Sequence, residues 1–452
     1  MPPVPSSPNG ANSAFCTTSP LSRAVLQMVE RLFSISVDAE NDCVRSLNTS
    51  VRERSAEETL RRIAPILHQF GVSELIDVTM PGVSSCPVFQ VVREDMRSGF
   101  LNAGKGYTAV ESMVSGLMEA IEVHCFERAD PRVAHLSNDI GESERSLRIV
   151  PTAALLGAQL REQADWPLTP TRMVKGWDLE SGKGVWMKAR DVFFSSDPEQ
   201  SSASTANGIA SGNSVAEALC HAIGEILERH ALAAYTGDGK QGNSPFYQQR
   251  ERVCAPPDSA RMQKCLAELR AKNIDADFLL ISREAGVSVF ICTLSVPIAN
   301  VAQRAAVQGF GAHPDAGIAM ARALAEAVQI LALCPVAEMK GATDTAATGA
   351  ILTSKQLAEL DPSVLLGERI AAHAWLDQSR SDLTAIEFDF LDTDDISPAG
   401  NLESTDAALQ RLVSGLKSMG CSPIYYCVIS PPELPVVVVK CFCPGLDCIA
   451  NL

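Results

Sequence analysis

The sequence predicts an α+β fold, with open sheets, flanking helices and an internally duplicated helix motif that carries glutamates. The duplication begins at two glycines, Gly106 and Gly212, and the stretches after them share one register. Glutamates follow five, thirteen and sixteen residues later, at Glu111, Glu119 and Glu122 in the first stretch and at Glu217, Glu225 and Glu228 in the second. The sheets are predicted from short apolar runs bounded by turn residues. Helical segments between such runs place the chain in the α+β class.

A third stretch, from Gly309 to Ile330, also runs from a glycine-rich turn into an alanine-rich helix, where Glu326 and Gln329 are three residues apart. Residues three apart share one face of a helix. The acids of the first two stretches have apolar neighbours, namely Leu117, Met118, Ala120, Ile121, Ile223, Ile226 and Leu227. Acids in apolar surroundings repel one another and lose solvation unless a cation holds them. Magnesium, which prefers oxygen ligands and bridges carboxylates to phosphates, is the simplest such cation.

Residues 1–18 are rich in Pro, Ser and Asn, which predicts a mobile arm. A helical pattern begins at Ser19, and residues 19–54 are predicted to be an N-terminal helical segment. Ser55 and Glu58 have the spacing of a capping box, and Gly71 is placed to end the helix that the box begins. Two short strands are then predicted, over 75–79 and 88–92.

A hairpin is predicted over residues 172–194, where two apolar runs flank a turn at 180–183. Lys183 lies there in a Ser-Gly-Lys-Gly sequence, but the Walker spacing is absent, which favours a solvated turn lysine. Downstream, helices are predicted over 258–272, 315–333 and 404–419, and strands over 276–282, 287–295, 424–429 and 436–442. Residues 342–405 are polar and acidic, and we interpret them as a lid or surface excursion.

Charge and length limit the classes of function. The chain has 452 residues, a formal net charge of -16 and a pI near 5.0, which argue against binding to nucleic acid or to an anionic membrane. Binding of a nucleotide is still compatible with this negative net charge, because Mg²⁺ can neutralise the charge of the phosphates. No uninterrupted apolar run of membrane-spanning length is present, and the N-terminus lacks the basic and apolar regions of a secretory signal. We therefore expect a cytoplasmic protein with reduced thiols.

Fourteen cysteines are scattered along the chain. Five of them lie near the C-terminus and raise the question of a zinc site: Cys421, Cys427, Cys441, Cys443 and Cys448. Their spacing contains no Cys-x-x-Cys pair, so a structural metal is disfavoured there.

Five separated elements, in the same order along the chain, resemble the motifs of the YcaO family. They are Gly104-Lys105-Gly106; Ser115 with Glu119 and Glu122; Gly212 and Asn213 with Glu217, Glu225, Glu228 and Arg229; Glu326 with Gln329; and the terminal runs 435–437 and 444–446. The similarity covers the chain from about residue 55 to the end. Its first part, from Glu57 to Glu127, is more similar to the stand-alone branch associated with TfuA proteins than to the fused cyclodehydratases.

The resemblance implies an ATP- and Mg²⁺-dependent enzyme that phosphorylates a backbone amide oxygen of a peptide or protein. Loss of phosphate then gives an azoline, or a thioamide when sulfide is the donor. It implies that Mg²⁺ is held by Glu119, Glu122, Glu225 and Glu228. It places Ser115, Asn213, Glu217, Arg229, Glu326 and Gln329 around the nucleotide. The domain is expected to cover residues 55–452, with an ATP-binding core over about 85–340, a variable acidic segment over about 342–405 and C-terminal strands over 420–452.

The residues themselves add three points. Lys105 is predicted to lie in a turn that opens the first glutamate helix, where its ammonium group and the helix N-terminus could both meet phosphate, or it is a simple turn lysine. His124 and His230 follow the glutamate pairs, and capping or core positions are favoured over catalysis for both. Arg322 either reaches the nucleotide or lies on the surface of the third helix. No general base is identified.

Two departures from the family pattern bear on the product. Arginines commonly follow the family's Glu-x-x-Gln glutamine, whereas an apolar run, 330–332, follows Gln329 here. The chain also ends in Pro-Gly-Leu-Asp-Cys-Ile-Ala-Asn-Leu rather than in the Pro-rich tail of many cyclodehydratases, which favours a thioamide over an azoline. No leader-binding domain is recognised, so a separate TfuA-like or leader-binding partner is expected to deliver the peptide. The family often dimerises, which makes a homodimer a further expectation.

Two other classes remain open. A carboxylate-bridged di-metal oxidase also places glutamates on paired helices, but it uses Glu-x-x-His, and here the fourth positions are Glu122, Glu228 and Gln329. A non-catalytic YcaO-like scaffold or peptide-binding subunit is the second class. The intact glutamate pairs argue against this scaffold, and the changes after Gln329 argue for it.

Overall fold

The computed structural model describes residues 52–94, 96–98, 102–155, 167, 169–194, 205–236, 251–253, 259–297, 304–333, 385–386 and 404–446. The predicted arm over 1–18 lies outside these residues, as do almost all of 19–54 and of 342–405. The boundaries drawn in those regions therefore stay predictions.

Helices occupy most of the segments that the apolar period predicts. Their bounds are α1 (Ala56–Ile63), α2 (Ala109–Glu127), α3 (Glu142–Arg145), α4 (Thr152–Leu155), α5 (Ala189–Val192), α6 (Val215–Thr236), α7 (Ala260–Ala271), α8 (Ala316–Leu333) and α9 (Thr405–Ser418). Short 3₁₀ helices cover Ala64–Phe70, Ser137–Asp139 and Glu284–Gly286. The glutamate pairs lie on α2 and α6, and the third motif lies on α8.

The described strands form three open sheets. Their bounds are β1 (Val72–Asp77), β2 (Val88–Arg93), β3 (Asn102–Lys105), β4 (Ala134–Leu136), β5 (Arg148–Ile149), β6 (Arg172–Asp178), β7 (Gly184–Lys188), β8 (Ile209–Gly212), β9 (Glu251–Val253), β10 (Asp275–Ser282), β11 (Ser288–Pro297), β12 (Arg304–His313), β13 (Ala385–Ile386), β14 (Tyr425–Val428) and β15 (Val437–Phe442). The strand orders are β1-β2-β3, β5-β7-β6-β14-β15-β8 with β4 also on β6, and β12-β11-β10-β9-β13. Open sheets with flanking helices confirm the predicted α+β class.

Each glutamate helix packs on the strand that comes just before it. α2 packs on β3 and β2, α6 on β8 and β15, and α8 on β12 and β11. Large apolar side chains of these helices are fully buried, such as Leu117 in α2, Ile223 in α6 and Leu324 in α8. Burying one such side chain contributes about 1.5–3 kcal/mol. Because α2 also packs on β8, the first two strand–helix units lie side by side.

Glycines allow strand and helix to approach closely in all three units. A Cβ atom on Gly104 would lie 1.7 Å from the carbonyl oxygen of Ser112, at the start of α2. On Gly212 it would lie 2.5 Å from the amide nitrogen of Ala218, and on Gly309 it would lie 2.1 Å from that of Ala327. The atoms it would meet are backbone atoms, which cannot move aside. The glycines of the motifs are therefore needed for packing in this fold.

The helix predicted up to Phe70 is α-helical only over α1. The Ser55–Glu58 capping box is present, with Glu58 N donating to Ser55 Oγ at 3.1 Å, and Gly71 ends the segment at φ 68°. Between these points Ala64–Phe70 form a 3₁₀ helix. Pro65, the second residue of this part, has no N–H to continue the hydrogen bonds of α1.

Three predictions of local structure are wrong. Gly309 and Gly311 lie within strand β12 rather than in a turn. Lys105 is the last residue of β3, and α2 begins later, with Thr108 as its N-cap. The predicted hairpin forms from β6 and β7, but its last part is helix α5. Glycine-rich composition is typical of turns, yet in the first two cases it permits a strand to lie under a helix.

One described helix, α8, is long and apolar enough to cross a membrane by length and composition. Half of this span is buried within the protein, and Arg322 and Glu326 interrupt its apolar sequence. A buried helix that packs on β12 and β11 is typical of a protein core, which accounts for its apolar composition without a membrane.

Candidate functional site

The three strand–helix units bring five glutamates to one place. Glu119 and Glu122 come from α2, Glu225 and Glu228 from α6, and Glu326 from α8. Glu122 lies within electrostatic reach of both Glu119 and Glu225. Glu228 lies within reach of Glu225 and Glu326. We call these five residues the glutamate cluster.

Burial makes ionisation of most of this cluster unfavourable. It raises the pKa of Glu119, Glu122 and Glu225 to about 7, from an ordinary 4.5. Burial and the carboxylate of Glu326 also raise the pKa of Glu228. Carboxyl groups that resist ionisation at neutral pH are those that a bound cation would stabilise in the ionised form. The donor set therefore fits a hard divalent cation such as Mg²⁺.

Ser211 orients one of the acids. Its backbone N–H donates to Glu122 Oε1 at 2.7 Å, and its hydroxyl donates to the same oxygen. Ser211 lies on β8, so the hydrogen bonds join the first strand–helix unit to the second. They favour the ionised form of Glu122 and oppose part of the effect of burial.

Glu326 differs from the other four acids because it has a cation of its own. The Lys105 ammonium group bonds directly to Glu326 Oε2. Burial alone would raise the pKa of Glu326, but the charge and hydrogen bond of Lys105 hold it below its ordinary value. The predicted turn lysine is therefore an ion-pair partner of the cluster, and the pair joins β3 to α8.

Two further predicted residues, Gln329 and Ser115, flank this arrangement. Gln329 Nε2 donates to the backbone carbonyl of Ala103 on β3, so its side chain links α8 to the first unit. Ser115 is partly buried on α2, one turn before Glu119. Arg229, next to Glu228 on α6, lies within electrostatic reach of Glu225, Glu228 and Glu326.

Asn213 and Glu217 hold the start of the described chain against α6. Asn213 Nδ2 donates to Glu217 Oε1 at 3.2 Å, and Asn213 Oδ1 accepts from Arg62 Nη1 at 3.2 Å. Glu217 accepts from Glu53 N at 3.0 Å and forms an ion pair with Arg52 at 3.6 Å. Their side chains thus contact other residues of the same chain, and their expected place beside the nucleotide stays a prediction.

Arg322 is not a surface residue of the third helix. Its Nη1 donates to Ala312 O at 3.3 Å, and its Nη2 lies 2.9 Å from His221 Nε2. It lies within electrostatic reach of Glu228, Glu326 and Glu225. The alternative in which Arg322 points to solvent is therefore wrong.

The two histidines that follow the glutamate pairs contact other parts of the fold. The ring of His124 packs edge-on against that of Phe70, with centroids 5.2 Å apart. His230 Nε2 lies 3.9 Å from the carboxylate of Glu284. Both side chains are partly buried rather than fully buried, and His124 also lines a cavity at the C-terminal end of α2.

No three His, Cys, Asp or Glu side chains among the described residues lie close enough to hold one metal ion by themselves. This applies to the glutamate cluster and to the buried cysteines Cys421, Cys441 and Cys443, while Cys448 lies outside the described residues. Mg²⁺ commonly takes only one or two carboxylates and completes its octahedron with phosphate oxygens and water. The spread of the glutamates is thus compatible with a metal that arrives with a nucleotide.

Two cavities show where ligands could enter. One, of about 430 Å³, lies at the C-terminal end of α2, and none of the five glutamates lines it. The other is only about 40 Å³; none of the five glutamates lines it either, but its walls include Ser211, which bonds to Glu122, together with Arg52, His221 and Arg322. A volume of this size admits a water molecule but not a nucleotide.

Sequence reasoning did not single out Arg52, Glu53, Ser211 or His221. Ser211 stands directly before the Gly-Asn element, which is a signal that a wider motif would have included. Arg52 and Glu53 precede the first helix by a few residues and have no local pattern of their own. They lie at the site because the chain passes next to α6 at this point, where both residues contact Glu217.

Two relatives align with most of the length of this chain. An uncharacterized protein of Methanothermobacter thermautotrophicus is 24% identical over 401 residues, which cover 86% of this chain and 93% of the relative. An uncharacterized protein in the tfuA 3' region of Rhizobium leguminosarum bv. trifolii is 26% identical over 289 residues, or 60% of this chain and 64% of the relative. The second relative suggests the TfuA-associated branch.

Two solved structures share the fold. YcaO from Methanopyrus kandleri bound with AMPPCP and Mg²⁺ has a TM-score of 0.60 and 21% identity, over 89% of this chain and 96% of that one. A heterocyclase in complex with substrate and cofactor has a TM-score of 0.62 and 18% identity, over 88% of this chain and 53% of that one. A family model described as YcaO cyclodehydratase, ATP- and Mg²⁺-binding, matches residues 103–447. The chain therefore belongs to the YcaO family, an ATP- and Mg²⁺-binding family.

Proposed function

We propose that this protein uses Mg-ATP to phosphorylate a backbone amide oxygen in a peptide or protein, giving a thioamide or an azoline. The observation that carries the proposal is the glutamate cluster. Five acids, Glu228 buried and the other four partly buried, come from three strand–helix units and meet within the region that the family model matches. The pKa values of Glu119, Glu122 and Glu225 lie near 7 although Lys105 and Arg229 are within electrostatic reach, so a bound divalent cation would stabilise their ionised forms.

The proposed roles follow from position. Glu119, Glu122, Glu225 and Glu228 hold the metal, because burial leaves each of them in need of a cation. Lys105 and Arg229 neutralise phosphate charge from β3 and α6. Ser115, Asn213, Glu217, Glu326 and Gln329 surround the nucleotide and hold these groups in place. When bound, Mg-ATP supplies the phosphoryl group, and the chain's own contribution is placement and charge neutralisation.

Partners follow from the same proposal. A peptide substrate must reach the cluster, and we propose that a separate TfuA-like or leader-binding protein presents it. The genomic position in the name of the Rhizobium relative supports such a partner. A homodimer and a cytoplasmic location complete the proposal.

The direct test follows the amide oxygen. Peptides labelled with heavy oxygen at their backbone carbonyls are incubated with the protein, Mg-ATP and sulfide, with and without the partner protein. We expect the label to appear in the released phosphate. A peptide in which sulfur replaces oxygen then identifies a thioamide, and loss of one water identifies an azoline. Nucleotide hydrolysis with unlabelled phosphate would contradict amide activation, and the absence of any turnover would favour a scaffold.

The affinity for Mg-ATP should rise with pH through neutrality. Glu119, Glu122 and Glu225 have pKa values of about 7, so they are largely protonated at about pH 6 and ionised at about pH 8. Metal ligation needs the ionised form, which predicts roughly tenfold tighter binding over this range for each carboxylate that must lose a proton. Calorimetric titration at several pH values measures the slope, with adenosine as a control that brings no metal. A constant affinity would contradict the assignment of these acids.

The stability of the protein without ligand should change in the opposite direction. The folded-state pKa of these three acids lies above the ordinary 4.5 that an unfolded chain retains. The folded state therefore binds more protons between about pH 4.5 and 7, and the contribution of these groups to stability falls as the pH rises through that range. Mg-ATP should offset this loss above neutrality.

A further inference from the structure

The larger of the two cavities lies about one helical turn beyond the glutamate cluster. Its volume of about 430 Å³ is within the range of pockets that hold small ligands. Cys125, which follows Glu122 on α2, lies in its wall. None of the residues proposed to hold the metal or the nucleotide lines this cavity. A ligand bound there would lie beside the nucleotide site rather than in it.

Arginines give this cavity a positive charge. The side chains on its wall that carry a full charge are Arg97, Arg128, Arg132, Asp130 and Glu433. Three cations and two acids leave one net positive charge, on a chain whose formal net charge is -16. The cavity is thus complementary to an anion on a protein whose overall charge repels anions.

Both acids of the wall are paired with the same arginine. Arg132 Nε and Nη2 donate to the two carboxylate oxygens of Asp130, at 2.8 and 2.6 Å. Arg132 Nη1 forms an ion pair with Glu433, in the segment between β14 and β15. The charge of Arg132 is therefore directed to acids of the chain itself. A ligand with a negative charge would be bound by Arg97 and Arg128.

The fold sets the positions of these two arginines. Arg128 is the residue at which α2 ends, and it is partly buried. Arg97 is exposed, but its backbone N–H donates to Glu127 Oε1 at 3.0 Å. Arg93 Nη2 donates to the other oxygen of this carboxylate at 2.6 Å, and the side chains of Arg93 and Glu127 are fully buried. This buried pair anchors the turn that carries Arg97 to the end of α2.

Much of the remaining wall is apolar. Its apolar residues include Phe70, Pro131, Ile429, Pro431 and Leu434. A small inorganic anion would leave this surface in contact with water. A peptide that carries a carboxylate next to apolar side chains would meet the arginines and cover the apolar surface as well.

We propose that this cavity binds a side-chain carboxylate of the peptide or protein substrate, together with its apolar neighbours. The proposal rests on the function proposed above and adds a recognition element to it. Arg128 follows Glu122 by six residues, which is a rise of about 9 Å along α2. An extended peptide spans at most about 3.6 Å per residue. We therefore expect the acidic residue to lie about three or more residues from the amide that is phosphorylated.

Calorimetric titration without nucleotide tests the site with two peptides, Leu-Glu-Phe and Leu-Gln-Phe, both acetylated and amidated so that the glutamate carries the only carboxylate. Full-length wild type should bind the glutamate peptide about tenfold more tightly. Arg97→Gln with Arg128→Gln should remove this preference and leave the affinity for the glutamine peptide within about twofold. Arg304→Gln is the matched control, because Arg304 is also exposed and donates to backbone carbonyls but belongs to another sheet.

Glu433→Gln separates binding from loss of structure, because its expected effect is a gain. The Glu433 side chain is 55% exposed, so the substitution should leave the fold intact. It removes a negative charge from the wall and releases Arg132, which should tighten binding of the glutamate peptide about threefold. Unchanged or weaker binding in this variant would contradict the charge argument. Equal affinity of wild type for the two peptides would overturn the site.

Turnover then identifies the source of the carboxylate. In the assay with labelled oxygen, the KM of an accepted peptide should rise about tenfold in Arg97→Gln with Arg128→Gln, while kcat changes less than twofold. An unchanged KM would overturn the assignment to the substrate, and displacement of the glutamate peptide by the partner protein would then assign the carboxylate to that partner. Loss of peptide discrimination with turnover intact overturns this inference alone. If wild type phosphorylates no amide, the proposed function falls, and the assignment to the substrate falls with it.

Discussion

Wild-type protein is expected to gain about 2.7 kcal/mol of stability from Mg-ATP at a hundred times its dissociation constant, and Glu225→Gln with Glu228→Gln should lose this gain. Both substitutions keep the size of the side chain and remove its charge. Since Glu225 and Glu228 lie on one face of α6 and within the glutamate cluster, the metal would lose the ligands of one whole unit. We expect an affinity loss of more than about 100-fold. Thermal unfolding with and without Mg-ATP measures it.

The matched control for this experiment is Glu144→Gln. Glu144 pairs with Lys175 at 2.7 Å, and both side chains are well exposed, so the same chemical change is made far from the cluster. This variant should keep the full response to Mg-ATP. Equal stabilisation of the double variant and the control would show that the α6 acids do not hold the metal, and the proposed site would have to be abandoned.

Among substitutions that add one methyl group to the first strand–helix unit, Gly104→Ala should destabilise the protein most. Its Cβ would lie 1.7 Å from Ser112 O and 2.4 Å from Gly116 N. Both are backbone atoms of α2, and Ser112 Oγ also donates to Gly104 O at 2.8 Å. β3 and α2 would have to separate, which would also displace Lys105 from Glu326. We expect a loss of at least about 3 kcal/mol, measured by urea unfolding.

Gly141→Ala is the control for this substitution. Gly141 has nothing within 4 Å of a new Cβ and an ordinary φ of -64°. As it caps a short helix, the change should cost no more than about 1 kcal/mol. If Gly104→Ala unfolds at the same urea concentration as this control, the strand and helix are not packed as closely as described.

Much of the fold could be predicted because its signals are local. The apolar period of 3.6 residues marks α2, α6 and α8, and the capping box at Ser55 and Glu58 is visible as two residues three apart. The repeated register of the glutamates needs only counting along the chain. The motifs also predicted the family and, from the family, the binding of ATP and Mg²⁺. The family model confirms both predictions.

Prediction from the local sequence was wrong at glycines, because glycine is common both in turns and in strands that a helix crosses closely. β3 and β12 contain glycines that are typical of turns, yet they are strands lying under helices. The residues near Gly104 and Gly309 in the sequence do not distinguish a turn from a strand that packs closely under a helix. The difference depends on the backbone of a helix that packs on the strand.

The sequence by itself determined which helices carry acids, how those acids are spaced and that they need a cation. Only the tertiary structure decided which cation each acid meets. Lys105 bonds to a glutamate 221 residues away, Arg52 forms an ion pair with Glu217, and Arg322 contacts His221 and the Ala312 carbonyl. Side-chain periodicity reports which face of an element is buried, but the partner on that face comes from distant parts of the chain, and packing of the sheets brings them together.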